Sequence, residues 1–288
     1  MGYRLKTSIL VSKLAAACQL SYQGDDFLIQ GVSTLDEQES NYLVFSKESG
    51  LGRCGSIVIE PTRNERPNTY TALESDNPRL DFIRALSYLN SNIGFSTYDF
   101  ASEIHTSVIL GPNVVVENGC RIAEGVVIEA NVVIHSGTVV GKNSRIRSCS
   151  SIGGDGFGFE RSEDGTPVRF PHLGGVLIGE NVELGALNSV ARGTLSDTII
   201  ESHVKTDNLV HIAHNCIVKK AAFLTACAEL SGGVIVGERA WIGPNVSVMQ
   251  KANIGNDSLV GLGAVITKDV GEGSIWAGNP AKKLRDIK

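Results

Sequence analysis

No stretch of this sequence approaches the roughly 20 consecutive apolar residues that a membrane-spanning helix needs. Near the start, MGYRLKTSILVSKLAAAC is broken by Lys13 before it reaches the length of a signal-peptide core, so a soluble, cytoplasmic protein is expected. Basic residues are not in excess: 26 Lys and Arg face 31 Asp and Glu, a net charge of -5, which argues against a nucleic-acid partner. The six cysteines (Cys18, Cys54, Cys120, Cys149, Cys216, Cys227) make no CxxC pair, so reduced thiols are expected rather than a disulfide framework or a metal-binding motif. Glycine is in surplus, at 32 of 288 residues against a usual share of about 7%, and that surplus requires a structural cause.

The cause is a six-residue repeat. From Leu110 the chain reads LGPNVV, VENGCR, IAEGVV, IEANVV, IHSGTV, VGKNSR and IRSCSS, with an aliphatic residue at Leu110, Val116, Ile122, Ile128, Ile134, Val140, Ile146 and Ile152. A second run holds Ile178, Leu184 and Val190; a third runs from Ile200 through Ile212, Val218, Leu224 and onward to Ile266, with Thr206 as its polar member. Neither the helical period of 3.6 nor strand alternation gives six. A left-handed parallel β-helix does: each hexad forms one side of a triangular coil, three hexads close a turn, the first residue points inward, the compact fifth fills the space beside it, and Gly or Asn takes the corner.

The repeat halts between Ile152 and Ile178, where a turn-rich insertion (153–175) is expected to leave the prism, because a buried loop would strand backbone polar groups. Between Val190 and Ile200 the spacing is ten instead of twelve, which reads as a corner adjustment. The first hundred residues keep no such period. Helical patterns around 8–20, starting near Thr7 or Ser8, and around 78–90 flank strand-like pieces such as DFLIQGVSTL and GSIVIEP. A small α/β domain over 1–100, a β-helix over 101–270 and a tail over 271–288 are expected.

With this register, His214, third in the hexad opened by Ile212, faces outward, as does His211. One coil of eighteen residues above His214 stands Gly232, and two coils above stands Gln250. A general base beside a sterically open amide N–H is a minimal apparatus for acyl transfer. Asp207, seven residues before His214, is a candidate to orient the imidazole, as carboxylates do in hydrolase triads. The bland reading is a solvated surface histidine. A metal site built from His211 and His214 with His172 or His203 has no supporting spacing, so no metal is expected. Cys120 and Cys216 fall at inward fifth places and read as packing residues, and His135 sits in a second-place slot that carries no signal.

The strings IGGDGFGF, RFPHLGGVLIGENVELGA, ARGTLSDT and DNLVHIAHN, with GVSTLDE and DNPRLDFIRAL earlier, resemble the UDP-3-O-(3-hydroxyacyl)glucosamine N-acyltransferases over nearly the whole chain. The resemblance implies a homotrimer with active sites between subunits, His214 as general base, Asp207 as its partner and Gly232 as oxyanion donor. It implies that the first domain binds the nucleotide, with Phe45, Phe157, Phe159, Asn208 and His211 on the substrate side. Three positions depart from the family's pattern: Ala191 precedes Arg192-Gly193, Phe45 is followed at three-residue steps by Glu48 and Leu51, and Gln250-Lys251 replaces a second histidine. The end of the chain, GLGAVITKDVGEGSIWAGNPAKKLRDIK, is similar to CoA-dependent sugar acetyltransferases. That similarity implies that Gln250, Lys251, Gly263 and Ala264 line the donor, with Lys282, Lys283 and Arg285 meeting its phosphates. The family's further C-terminal helical extension is expected to be absent.

The expected activity is transfer of an acyl group, read as a short one, from acyl-CoA or acyl carrier protein to the amine of a nucleotide-linked amino sugar for surface polysaccharide. No permanently bound cofactor is expected. The competing expectations are the lipid A enzyme proper and a non-catalytic β-helix scaffold.

Overall fold

The structure, a computed structural model, describes residues 2–62, 67 and 69–287. The chain divides into two compact units, one of residues 1–99 with 158–173 and one of residues 100–157 with 174–288.

The first unit is a six-stranded sheet, β1 (Tyr3–Leu10), β2 (Ser21–Gln23), β3 (Leu28–Val32), β4 (Tyr42–Phe45), β5 (Ile57–Glu60) and β6 (Thr71–Glu74), in the order β1-β3-β4-β5-β6-β2. Its centre is parallel and its two edges are antiparallel. Helix α1 spans Val11–Cys18 and α2 spans Pro78–Asn92. The first helix is shorter than expected, because residues 7–10 belong to β1, which pairs with β3. The apolar pattern read as one helix is shared: Ile9 is buried from a strand, and Val11, Leu14 and Ala15 from α1. Neither Thr7 nor Ser8 caps α1; its N-cap is Leu10, which makes no side-chain cap bond. Helix α2 starts by the usual chemistry, with Asn77 accepting the Leu80 N–H at 3.3 Å and Pro78 in the first turn.

The insertion after the first β-helix segment forms a hairpin, Phe159–Arg161 against Pro167–Arg169. It belongs to the first unit, held to α2 by Arg79–Glu160 (2.6 Å), Arg84–Glu163 (2.8 Å) and the Phe82–Phe170 ring pair.

The second unit is a left-handed parallel β-helix. Its short strands stack into three walls: wall 1 runs from residues 103–104 to 253–254, wall 2 from 109–110 to 282–286, and wall 3 from 115–116 to 265–266. In the regular coils each residue pairs with one eighteen positions on, as in Arg121↔Val139 and Phe223↔Trp241, at the roughly 4.8 Å strand spacing; across the 153–175 insertion the step is 38, as in Val139↔Leu177. First-place residues such as Ile212, Leu230 and Val248 and fifth-place residues such as Cys216, Val234 and Ala252 share one buried column. Full burial of each large aliphatic side chain contributes about 1.5–3 kcal/mol. Inside that column Thr206 is satisfied by Asn188: its hydroxyl donates to Asn188 Oδ1 at 2.8 Å and accepts the Gly185 N–H at 3.0 Å.

Two register findings differ from expectation. From Val190 the chain passes directly from wall 3 to wall 1 at Ile200, and the pairs across this coil, Leu177↔Ile199 and Ser189↔His211, step by 22 residues. The ten-residue spacing is therefore one hexad plus four extra residues at the corner, not two hexads shortened by two. Residues 271–288, expected as a tail, continue the solenoid: Ser274–Ala277 pairs in parallel with Leu259–Val260, and Lys282–Asp286 returns antiparallel on it. That outermost strand reads KKLRD, and its charges discourage further strand addition at an open edge.

Candidate active site

His211 and Ile212 on wall 3 lie above Ser189 and Val190 and below Glu229 and Leu230. The chain then turns onto wall 1 at Ile217. The turn needs a left-handed corner, taken by Asn215 (φ 61°), and the two coils above repeat it with Gly233 (φ 72°) and Lys251 (φ 62°). The corners are laced together: the Gly233 N–H donates to His214 O at 2.9 Å and the Lys251 N–H to Gly232 O at 3.0 Å. His214, Gly232 and Gln250 thus occupy one column on the edge between walls 3 and 1.

The third place of a hexad has an amide that coil stacking does not use. Proline, which has no N–H, stands there at Pro112 and Pro244. Gly232 occupies the same place, and among the described residues no protein acceptor takes its N–H. The glycine is also required sterically. A Cβ on it would lie 2.7 Å from His214 Cε1 and 2.8 Å from Nε2, so the imidazole fills the space that a side chain would need.

The tautomer of His214 follows from Asn215. The Asn215 amide nitrogen donates to the Ser196 carbonyl (3.0 Å) and to Ser196 Oγ (2.8 Å), which fixes Oδ1 as the acceptor end. That oxygen accepts from the Thr194 N–H (3.2 Å) and hydroxyl (2.9 Å) and lies 2.9 Å from His214 Nδ1. An acceptor facing Nδ1 makes that nitrogen the N–H of the neutral ring and leaves Nε2, on the Gly232 side, as its basic atom. Thr194 and Ser196 both lie in the four-residue corner excess one coil below. That corner is tight, since a Cβ on Gly193 would collide with the Ser196 carbonyl.

Within the chain Asp207 does not reach His214. It lies on the edge between walls 2 and 3, and its Oδ1 accepts the N–H of the adjacent Asn208 at 2.7 Å. Asn208 braces the same edge, its Oδ1 accepting the Ala186 N–H at 2.8 Å. His211 is exposed on wall 3, and His203 sits at a different corner, between walls 1 and 2. Among the described residues no group of three or more His, Cys, Asp or Glu side chains converges as a metal cage would.

Cys216, directly after Asn215, is buried and donates to Ser231 O, and burial pushes its thiol up to about 12, so it is a packing group and not a nucleophile. Gln250 and Lys251 are exposed in the coil above Gly232. Gly263 takes a left-handed corner (φ 65°) on the edge between walls 2 and 3, whereas Ala264 is wholly buried in the prism and its side chain is not available to a donor. Lys282, Lys283 and Arg285 are exposed on the last strand, with Lys283 ion-paired to Asp286 at 2.6 Å. In the first unit Phe45 stacks on Phe82 at 4.8 Å, and Phe159 lies under the Arg169 guanidinium at 4.6 Å. Phe157 is 88% exposed.

Residues 119–154 match the family model of bacterial transferase hexapeptides (six repeats). The chain is 30% identical over 269 residues to a UDP-3-O-acylglucosamine N-acyltransferase of Helicobacter pylori, covering 83% of this chain and 78% of that one. It is 27% identical to the enzyme of the same name from Campylobacter lari, covering 96% and 94%. Among solved structures, a UDP-N-acetylglucosamine acyltransferase superposes with a TM-score of 0.53 at 22% identity, over 63% of this chain and 70% of that one, a likeness of fold. These relatives make the chain an acyltransferase and a member of the UDP-3-O-acylglucosamine N-acyltransferase family.

Proposed function

We propose that the protein transfers an acyl group from a thioester to the amine of a nucleotide-linked amino sugar, with His214 as general base and Gly232 as oxyanion donor. The observation that carries this reading is the 2.8 Å separation between His214 Nε2 and the Cβ position of Gly232, together with the Nδ1–H tautomer set by Asn215. The sugar amine attacks the thioester carbonyl and a C–N bond forms. Nε2 takes the proton that the nitrogen must shed, and the carbonyl oxygen gathers charge against the Gly232 N–H. Collapse breaks the C–S bond, and the imidazolium returns its proton to the leaving thiolate. Asn215, not Asp207, orients the base in this scheme.

The relatives carrying the name UDP-3-O-acylglucosamine N-acyltransferase support a UDP-linked 3-O-acylated glucosamine as acceptor. The first unit is read as the nucleotide-binding part, with Phe45 as its aromatic platform. Glu48 and Leu51, where the family pattern offers polar and aromatic contacts, leave room for a different base or sugar. The donor is acyl carrier protein or acyl-CoA, and Lys282 and Arg285 are the exposed cations of the last strand that suit its phosphates. A homotrimer is the proposed assembly.

The test is His214→Ala assayed with mass-spectrometric product detection on a panel of nucleotide amino sugars and donors. Turnover falls about 10²–10⁴-fold, the range for a general base; undiminished turnover discards the assignment. Competition between acyl-CoA and acyl carrier protein in the same assay identifies the donor.

A further inference from the structure

Three coils below His214, the same edge carries a second histidine. His135 Nδ1 lies 3.1 Å from Glu117 Oε1, and its Nε2 lies 3.2 Å from Ser151 Oγ. The three residues come from three successive coils, stacked Val115↔Val133↔Ser151 and Val116↔Ile134↔Ile152, so each side chain is set by a wall strand or the turn that follows it.

The polar partners leave little freedom. The Ser136 N–H donates to Glu117 Oε2 at 3.0 Å, and the His135 N–H donates to Ile152 O at 2.8 Å. A carboxylate facing Nδ1 makes that atom the donor in the neutral ring, so Nε2 is the acceptor and Ser151 Oγ–H donates to it. The Ser136 N–H bond and the neighbouring imidazole hold the Glu117 carboxyl below its usual range, and Arg192 contributes in the same direction. Gly154 lies beside the pair, where a Cβ would stand 3.4 Å from Nε2; its lack of a side chain leaves the serine and imidazole accessible. Neither ring nor hydroxyl is sealed in the core: His135 and Ser151 are half-buried.

We infer that Glu117, His135 and Ser151 form a second, nucleophilic centre that attacks activated acyl esters. Ser151 Oγ forms a bond to the ester carbonyl carbon while its proton passes to His135 Nε2. The bond to the leaving oxygen breaks, and that oxygen takes the proton from His135. Water then attacks the acyl-serine, His135 accepts the proton of the water, and Ser151 recovers its own as the carboxylic acid departs. Glu117 is a positioning residue, holding Nδ1 and stabilising the imidazolium that forms. The centre is independent of the His214 column, which uses no residue in common with it.

The test is a fluorophosphonate probe applied to the full chain, followed by intact mass and peptide mapping. Attack by Ser151 on phosphorus expels fluoride, and the hydroxyl proton goes to His135. The expected result is one label per chain at Ser151. It is absent in Ser151→Ala, slowed at least tenfold in His135→Gln at unchanged melting temperature, and retained in His214→Ala. Retention in the last variant separates this centre from the proposed N-acyl transfer. No label on the folded wild-type protein, or labelling of Ser151 at the same rate in His135→Gln, overturns the inference and reduces the three residues to a structural ladder.

Discussion

Gly232→Ala is the most direct probe of the column. The new Cβ would lie 2.7 Å from His214 Cε1 and 2.8 Å from Nε2, where ordinary contact begins near 3.4 Å. The ring must therefore retreat by about 0.6–0.7 Å. A misplacement of 1 Å in a catalytic array costs about 10²-fold, so kcat is expected to fall about 15- to 25-fold, or roughly 1.6–1.9 kcal/mol of barrier. The glycine's φ is not in the left-handed region, and the Gly232 amide itself is retained, so the backbone tolerates alanine and the melting temperature shifts by only a few degrees. The decisive measurement is the double variant. If the methyl acts by displacing the base, adding Gly232→Ala to His214→Ala costs less than about threefold further, because residues acting as a unit are not additive. A single variant within threefold of wild type, or losses that multiply in the pair, refutes the packing of imidazole against glycine as the origin of catalysis.

Asn215→Ala removes the acceptor at Nδ1 together with the bonds to Ser196 and Thr194. A hydrogen bond to a group that becomes charged contributes about 1.5–3 kcal/mol, so kcat should fall about 10- to 150-fold and the pH–rate profile should change shape, which steady-state kinetics across pH will show. Thr206→Val leaves Asn188 Oδ1 and the Gly185 N–H without their partner inside the prism; a loss of about 2–4 kcal/mol should appear as a lowered denaturant midpoint. In a timed reaction with a thiol reagent at pH 8, Cys54, Cys149 and Cys227, all exposed, should modify first. Cys216, with its thiol pushed up to about 12 by burial, should react only as the protein unfolds. Because Glu117 has a lowered pKa in the folded state, its contribution to stability is complete above the unfolded value near 4.3. That contribution is lost as pH falls through the folded value. Glu117→Gln should therefore flatten the acid limb of stability below the unfolded value near 4.3, by tenths of a kcal/mol because the carboxylate is half exposed.

The architecture was legible because a period of six is a geometric statement. One aliphatic residue per side of a triangle, repeated without drift, places every inward residue before any coordinate is seen, and Ile212, Leu230 and Val248 lie in the buried column accordingly. Vertical neighbours were legible for the same reason, since adding eighteen to 214 identifies Gly232. Horizontal neighbours were not. Asp207 sits seven positions from His214, but seven positions carry the chain around a corner of the triangle, and its carboxylate turns to its own neighbour's amide. The mixed elements of the first unit were harder still: the first four residues of the apolar pattern over 7–20 belong to a strand, and the pairing of β1 with β3, a long-range choice, decides the boundary.

The residue that orients His214 could have been sought in the irregularity of the repeat. A solenoid closes its corners with the same few atoms in every coil, so four added residues at one corner need a reason to persist, particularly where Gly193 is forced against the Ser196 carbonyl. Here the excess brings Thr194 and Ser196 up to Asn215, and their four polar groups fix one amide so that only its oxygen can face the imidazole. A carboxylate in that place would serve as an acceptor but would set a negative charge against the Ser196 carbonyl; an amide accepts from the ring and donates to the corner at once. Asn215→Asp therefore separates the two duties of this side chain. It keeps the acceptor at Nδ1 and loses the donor to Ser196, so the base should retain its tautomer while the corner loosens. Activity within about tenfold of wild type, with a melting temperature lowered by several degrees, is the expected pattern. A variant as inactive as Asn215→Ala but equally stable as wild type would show that the corner excess does not brace the base.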